Sequence, residues 1–390
     1  MFLKKSLLVV ILWFIGHGVF ASELTVEELR LESAAKKMPN VLNAFTDNID
    51  NFKQAWMQAK NYQAAKKVTV NHALQLWQAA TKQMQSSSSS FDDRLLYWTR
   101  LSITQVIRST SPAFSTSEQQ LNTLLELFEQ GSRGRTDLEF MQTTDKKILL
   151  TGFDPFLLDR NINQSNPSGI AALKLDGKVI SYKGITAEIN TVMIPVRYKD
   201  FDDGLIESLL ASYYALNNID MVVTVSMGRK NFDLERFPGK RRSVTAPDNN
   251  NVLSGGSKEK PVISKLHNKP LPGEEFVLFS LPVEQMKRAK GPYKIIDNHK
   301  ITSIGQSLKP AVLEPLSLSQ LNGHVAVSGS GGGYLSNEIS YRSIRLRNQL
   351  NSTIPTGHIH TPRIEQFEPE IEAKIVEQIR AMLEHSLEAI

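Results

Sequence analysis

The stretch KKILLTGF (residues 146–153) decides the architecture. Two lysines lead into a short apolar run that closes on glycine and phenylalanine, the signature of a strand buried within a sheet. AEINTVMIPV (187–196), IDMVVTVSMG (219–228) and GHVAVSGSG (323–331) have the same form, with helical spacing at 169–173 and 201–217 between them. Strands alternating with helices predict an α/β fold, a three-layer αβα sandwich around a mainly parallel sheet. In such sheets functional groups collect at the carboxyl ends of the strands. The closing segment EIEAKIVEQIRAMLEHSLEAI (370–390) carries Ile371, Ile375, Ile379 and Leu383 on one stripe. That stripe predicts an amphipathic helix docked on the sheet.

Upstream of KKILLTGF the period is different. Thr25 with Glu28, and Ser117 with Gln120, form capping boxes ahead of apolar runs. Val41, Leu42, Phe45, Ile49, Phe52 and Trp56, then Leu74 and Trp77, recur at helical steps. Residues 22–140 are therefore expected to form an all-α domain, with the serine run 86–90 as a connector. GSRGRTD (131–137) marks the break, and the α/β domain occupies 145–390. Residues 1–21 combine Lys4 and Lys5, an apolar core from Leu7 to Ile15, and small residues Val19 and Ala21. This reads as a signal peptide cut after Ala21, so the mature chain is expected to be exported, periplasmic or secreted, with no membrane span.

Composition narrows the chemistry. With no cysteine in 390 residues, a thiol nucleophile, a thiolate metal site and a redox pair are excluded. A net charge of +5 with only short basic runs such as GKRR (239–242) does not imply a nucleic-acid partner.

One turn raises a sharper question. GGGYLSNE (331–338) joins a strand to a helix and sets Ser336 at the junction. Ser336 is either a helix N-cap or a nucleophile backed by orphan backbone N–H groups. A serine nucleophile needs a base, and GHIHTP (357–362) supplies His358 and His360 on one side of a strand, His360 nearer its carboxyl end. Taken singly, each histidine is equally a satisfied structural residue. Glu235, in GRKNFDLERF (228–237), is the candidate orienting acid, or else a surface carboxylate paired with Arg236.

TGFDPF (151–156), NPSG (166–169), MIPV (193–196), GRKNFDLER (228–236), APDN (246–249), FSLPV (279–283), SGGGYLSNE (330–338) and GHIHTP (357–362) resemble, in order, the pyroglutamyl peptidase I (pyrrolidone-carboxylate peptidase) family. The resemblance covers roughly residues 145–365. It implies a hydrolase that removes pyroglutamate from peptide N-termini, with a peptide substrate and no metal or organic cofactor. By position, the family's acid falls on Glu235, its histidine on His360 and its cysteine on Ser336. Phe153 and Phe156 match the aromatics that hold the lactam ring, with Tyr334 and Asn166 completing the substrate-binding set. ERFPGK follows the glutamate, Thr245 replaces the family's arginine, and VSMGRK shortens the turn before the glutamate. Two readings follow: a serine peptidase using Ser336, His360 and Glu235, or a catalytically inactive pseudoenzyme or peptide-binding protein on the same scaffold. Homo-oligomerisation is left open.

Overall fold

The computed structural model describes residues 23–86 and 91–390. The signal segment and most of the serine connector lie outside the described residues. Ten strands matter here: β1 (Lys146–Phe153), β2 (Lys178–Tyr182), β3 (Ile185–Ile194), β4 (Met221–Met227), β5 (Phe232–Glu235), β6 (Ile295–Asn298), β7 (Ile301–Ile304), β8 (Pro310–Leu313), β9 (Val325–Ser328) and β10 (Thr356–Thr361). Seven of them form the principal sheet in the order β6-β5-β10-β4-β1-β3-β2. The central strands β3, β1, β4 and β10 are parallel, while β2 pairs antiparallel with β3 and β5 antiparallel with β10. The fold is the expected α/β sandwich with a mainly parallel sheet.

The helices are α1 (Val26–Leu29), α2 (Leu31–Lys37), α3 (Pro39–Leu42), α4 (Thr46–Gln58), α5 (Tyr62–Ser86), α6 (Arg94–Ser109), α7 (Glu118–Gly131), α8 (Pro167–Leu175), α9 (Tyr198–Asp202), α10 (Leu205–Leu216), α11 (Val283–Met286), α12 (Leu335–Gln349) and α13 (Pro369–Ser386). Both expected capping boxes form, at Thr25 and Ser117. One face of the sheet is covered by α8 and α13, the other by α10 and α12. On α13, Ile375, Ile379 and Leu383 are buried, whereas Ile371 stays exposed one turn too early to reach the sheet. The segment GHVAVSGSG does form a strand, β9, but not in the principal sheet. It pairs with β7, which also pairs with β8, in a separate antiparallel sheet of three strands. A strand of four residues can be read from local pattern; its partner cannot.

The N-terminal helices share one hydrophobic core with the sheet, running from Phe52, Trp56 and Trp77 through Ile148 and Ile170 to Ile379. They also hold α8 at both ends. At its start, the buried carboxylate of Asp93 accepts the Asn166 backbone N–H at 3.1 Å. At its end, the Gln85 amide donates to the carbonyls of Leu173 (3.1 Å) and Asp176 (2.8 Å), groups a helix cannot satisfy within itself. Asp154, in the TGFDPF turn, receives Arg100 from α6 at 2.8 Å and Arg133 from the break segment at 2.7 Å.

Beside Asp93 lies a second buried acid, Glu372 on α13, which accepts the Ser165 hydroxyl. Burial pushes its pKa from 4.5 up to about 8, with Asp92 adding to the rise and Arg94 opposing it. A carboxyl whose folded pKa is raised is tolerated while protonated, so its cost grows as pH climbs from about 4.5 to about 8 and then levels. Glu372→Gln is therefore expected to stabilise the protein, with a gain that is small near pH 5 and largest above pH 8, bounded at about 5 kcal/mol. Urea unfolding of both proteins across this range measures it. A pH-independent difference would refute the assignment.

Candidate active site

Register alone places two histidines and two acids on one face of the sheet. His360 pairs with Ser226 of β4 on one side and with Asp233 of β5 on the other; His358 pairs with Thr224. Alternation along a strand keeps residues two apart on the same side. Side chains then meet along diagonals. His360 Nδ1 lies 2.5 Å from Glu235 Oε1, and the His358 ring packs edge-on against His360 with centroids 4.8 Å apart. The His358 nitrogens contact Thr224 Oγ1 at 2.8 Å and Ser226 Oγ at 2.7 Å. His358 is the satisfied interior histidine, and burial holds its pKa well below the usual range.

Glu235 is fully buried, so the surface-carboxylate reading fails; Arg236 pairs instead with Asp297, at 2.6 Å. Its second oxygen accepts the Asn298 amide at 2.8 Å. Asn298 ends β6, and the same amide nitrogen lies 3.1 Å from the Ser330 carbonyl. One side chain thus ties the acid to the start of the glycine turn. Asp233 sits close by with its pKa raised, by burial first and by Glu235 second.

The glycine turn is built by close approach. A Cβ on Gly329 would collide with the Asn337 side chain, and one on Gly333 with Ser243 Oγ. Gly332 adopts φ 89°, a conformation that favours glycine. Asn337 clamps the loop that follows Glu235: its Oδ1 accepts the Gly239 N–H at 2.9 Å and its Nδ2 donates to the Gly239 carbonyl at 2.7 Å. In the basic run GKRR, Arg241 pairs with Glu275 and Arg242 with Glu338 and Asp202, while Lys240 donates to the Gly273 carbonyl.

Ser336 is not the N-cap of α12. Tyr334 holds that position and its side chain makes no capping bond to the helix, leaving the first-turn N–H groups without a side-chain cap. Ser336 sits one residue inside the helix, half-buried, with its hydroxyl donating to the Gly331 carbonyl at 3.3 Å. Among the described residues no hydrogen bond joins it to His360. It does line a small, open pocket with Phe153, Phe156, Asn166, Tyr334 and Ser226, completed by Val196, Met227 and Leu335. The Tyr334 hydroxyl donates to the Pro247 carbonyl at 2.7 Å, fixing the ring against the APDN segment. Asn166 lies in the pocket wall with its amide spent, capping α8 through Ser168 N at 3.1 Å and donating to the Asp154 carbonyl at 3.0 Å. Among the described residues no cluster of three or more His, Asp or Glu is arranged to hold a metal ion.

Two family profiles match the sequence. The one described as PA0049 N-terminal domain matches residues 19–129, and the one described as PA0049, C-terminal domain matches 147–290 and 301–365. The chain belongs to the PA0049 family. A curated relative, the uncharacterized protein PA0049 of Pseudomonas aeruginosa, is 26% identical over 394 residues, spanning 79% of this chain and 71% of the relative. Among solved structures, a mutant pyrrolidone carboxyl peptidase from the hyperthermophile Pyrococcus furiosus is similar at 20% identity, covering 62% of this chain and 99% of that chain, with a TM-score of 0.42. A second mutant of the same enzyme gives 22%, 63%, 99% and 0.41.

Sequence reasoning named Glu235, Ser336, His360, Phe153, Phe156, Tyr334 and Asn166, and missed Asn298, Ser226 and Asn337. Asn298 lies between the two matched parts of the C-terminal profile, in a strand too short to announce itself. Asn337 carried a visible signal, since it stands in the turn motif itself. Replacing Asn337 with Ala removes two hydrogen bonds and strands both polar groups of Gly239 in the interior. The expected loss is about 2–4 kcal/mol of stability, read as a lower urea midpoint with an unchanged slope.

Proposed function

We propose that the protein is an exported hydrolase that removes an N-terminal pyroglutamyl, or closely similar, residue from peptides through Ser336, His360 and Glu235. The observation that carries this reading is the buried Glu235–His360 pair, braced by Asn298, beside a small aromatic-walled pocket with Ser336 on its lining. A five-membered lactam is flat and neutral, with methylenes beside its amide, and Phe153, Phe156 and Tyr334 line the pocket it would enter.

In the reaction Ser336 Oγ attacks the carbonyl that joins the lactam to the peptide, and its proton passes to His360 Nε2. Glu235 accepts Nδ1–H, keeping the imidazole in the tautomer that a base requires. The uncapped N–H groups of the first turn of α12 face charge developing on the carbonyl oxygen. His360 then returns the proton to the leaving amine, and water hydrolyses the acyl-enzyme with His360 again as base. A serine hydroxyl must give up its proton during attack, so Ser336 has to leave the Gly331 carbonyl and turn to His360. Catalytic hydrogen bonds of this kind often tighten only in the substrate complex.

A second reading has one observation in its favour: the Ser336 hydroxyl is bonded to Gly331. On that reading the scaffold binds peptide N-termini without cleaving them. Release of a fluorophore from a pyroglutamyl amide by the mature chain separates the two. The hydrolase reading expects turnover that falls at least about 10³-fold in Ser336→Ala. Equal turnover in the Ala variant would sink the serine mechanism. Activity found in Ser336→Cys alone would leave the native protein a binder with a competent pocket.

A further inference from the structure

One polar group in the pocket has no part in the chemistry above. Ser226, at the carboxyl end of β4, lines the pocket with its Oγ 2.7 Å from His358 Nε2. Hydroxyl protons can be assigned along this chain of contacts. Gly357 O accepts only, and Thr224 Oγ1 lies 3.2 Å from it and 2.8 Å from His358 Nδ1. A hydroxyl has one proton to give. With a neutral imidazole, three bonds form together only if Thr224 donates to Gly357 O, His358 Nδ1–H donates to Thr224, and Ser226 donates to His358 Nε2. The neutral imidazole this needs is the form favoured by burial among hydroxyls.

We infer that Ser226 is a specificity residue of the pocket: with its proton committed to His358, its oxygen meets a ligand as an acceptor, and it selects a ring that carries an N–H. The ligand class is a small lactam or similar cyclic amide, as against a ring that offers carbonyl or hydrocarbon alone. The inference rests on the ring-pocket reading of the proposed function and adds to it the group that recognises the ring nitrogen. Ser226 is not a second nucleophile. Taking its proton would make His358 an imidazolium buried against hydroxyls, with no carboxylate bonded to it. Asp233 and Glu235 lie on the neighbouring strand, and the Glu235 oxygens are taken by His360 and Asn298.

The test compares two rings of nearly equal shape, 2-pyrrolidinone and cyclopentanone, titrated into the mature chain by NMR; neither is turned over. Wild type is expected to bind the lactam at least about tenfold more tightly, the scale of one hydrogen bond lost inside a pocket. Ser226→Ala is expected to bring the two affinities within about twofold. Thr224→Val, outside the pocket, removes the acceptor of Nδ1–H and frees the imidazole to place a proton on Nε2 facing Ser226. It too is expected to lose the preference while keeping its fold, an effect that mere packing at position 224 would not produce. A lactam preference retained in Ser226→Ala, or none in wild type, overturns the inference while the pocket stands. Loss in Ser226→Ala with retention in Thr224→Val overturns the proton assignment. If wild type binds neither ring, the ring-pocket reading itself fails and takes this inference with it.

Discussion

A carboxylate cut off from water must find a donor for each oxygen, and Glu235 is such a carboxylate. The site is arranged around meeting that demand. One oxygen takes His360, from the strand beside it, and the other takes Asn298, from the strand on its far side. Because Asn298 also reaches the Ser330 carbonyl, the requirement propagates into the glycine turn. Asn337 then closes the circuit back to the loop after Glu235. Acid, imidazole, turn and helix start are therefore parts of one hydrogen-bonded unit, in which moving one member strands polar groups on the others.

The N-terminal helices belong to this arrangement and do not merely adjoin it. Glu27 and Arg30 reach Asn249 of the APDN segment, against which Tyr334 is held. Arg100 and Arg133 converge on Asp154, between Phe153 and Phe156. Asp93 and Gln85 complete the two ends of α8. A buried charge whose partner is removed costs far more than the pair contributes, so the α/β part has been fitted to its helical companion and carries groups that only the companion satisfies. The division into a helical and an α/β part is plain in the periodicity of the chain, while their dependence on one another is not.

What was legible follows the same line. Strand β1 matches its sequence reading from Lys146 to Phe153, because a run buried on both faces is apolar throughout. Glu235, His360 and Ser336 could be nominated because the order of the motifs that carry them resembles that of a known family. What escaped were relations between distant segments. Nothing local in GPYKIIDN says that Asn298 will stand beside Glu235, nor does VSMGRK say that Ser226 will meet His358. Ser336 was read as capping or catalysing at the helix boundary. The boundary falls at Tyr334, directly after Gly333, whose close approach to Ser243 leaves no room for a side chain.

The antiparallel sheet of β7, β8 and β9 begins at Ile301, just after Asn298, and ends at Ser328, just before Ser330. Since Asn298 and Ser330 are bonded to each other, the excursion leaves and re-enters the body through a closed neck. Its small core is shared with the body: Ile301, Leu321 and Ala326 pack with Phe237 and Phe276 from outside the excursion. Loop-closure entropy rises only slowly with loop length. Closing the neck therefore costs little more than closing a shorter loop would, and the body meets the excursion through Phe237, Phe276 and the Glu275 carboxylate, which accepts the Ala326 N–H at 2.9 Å.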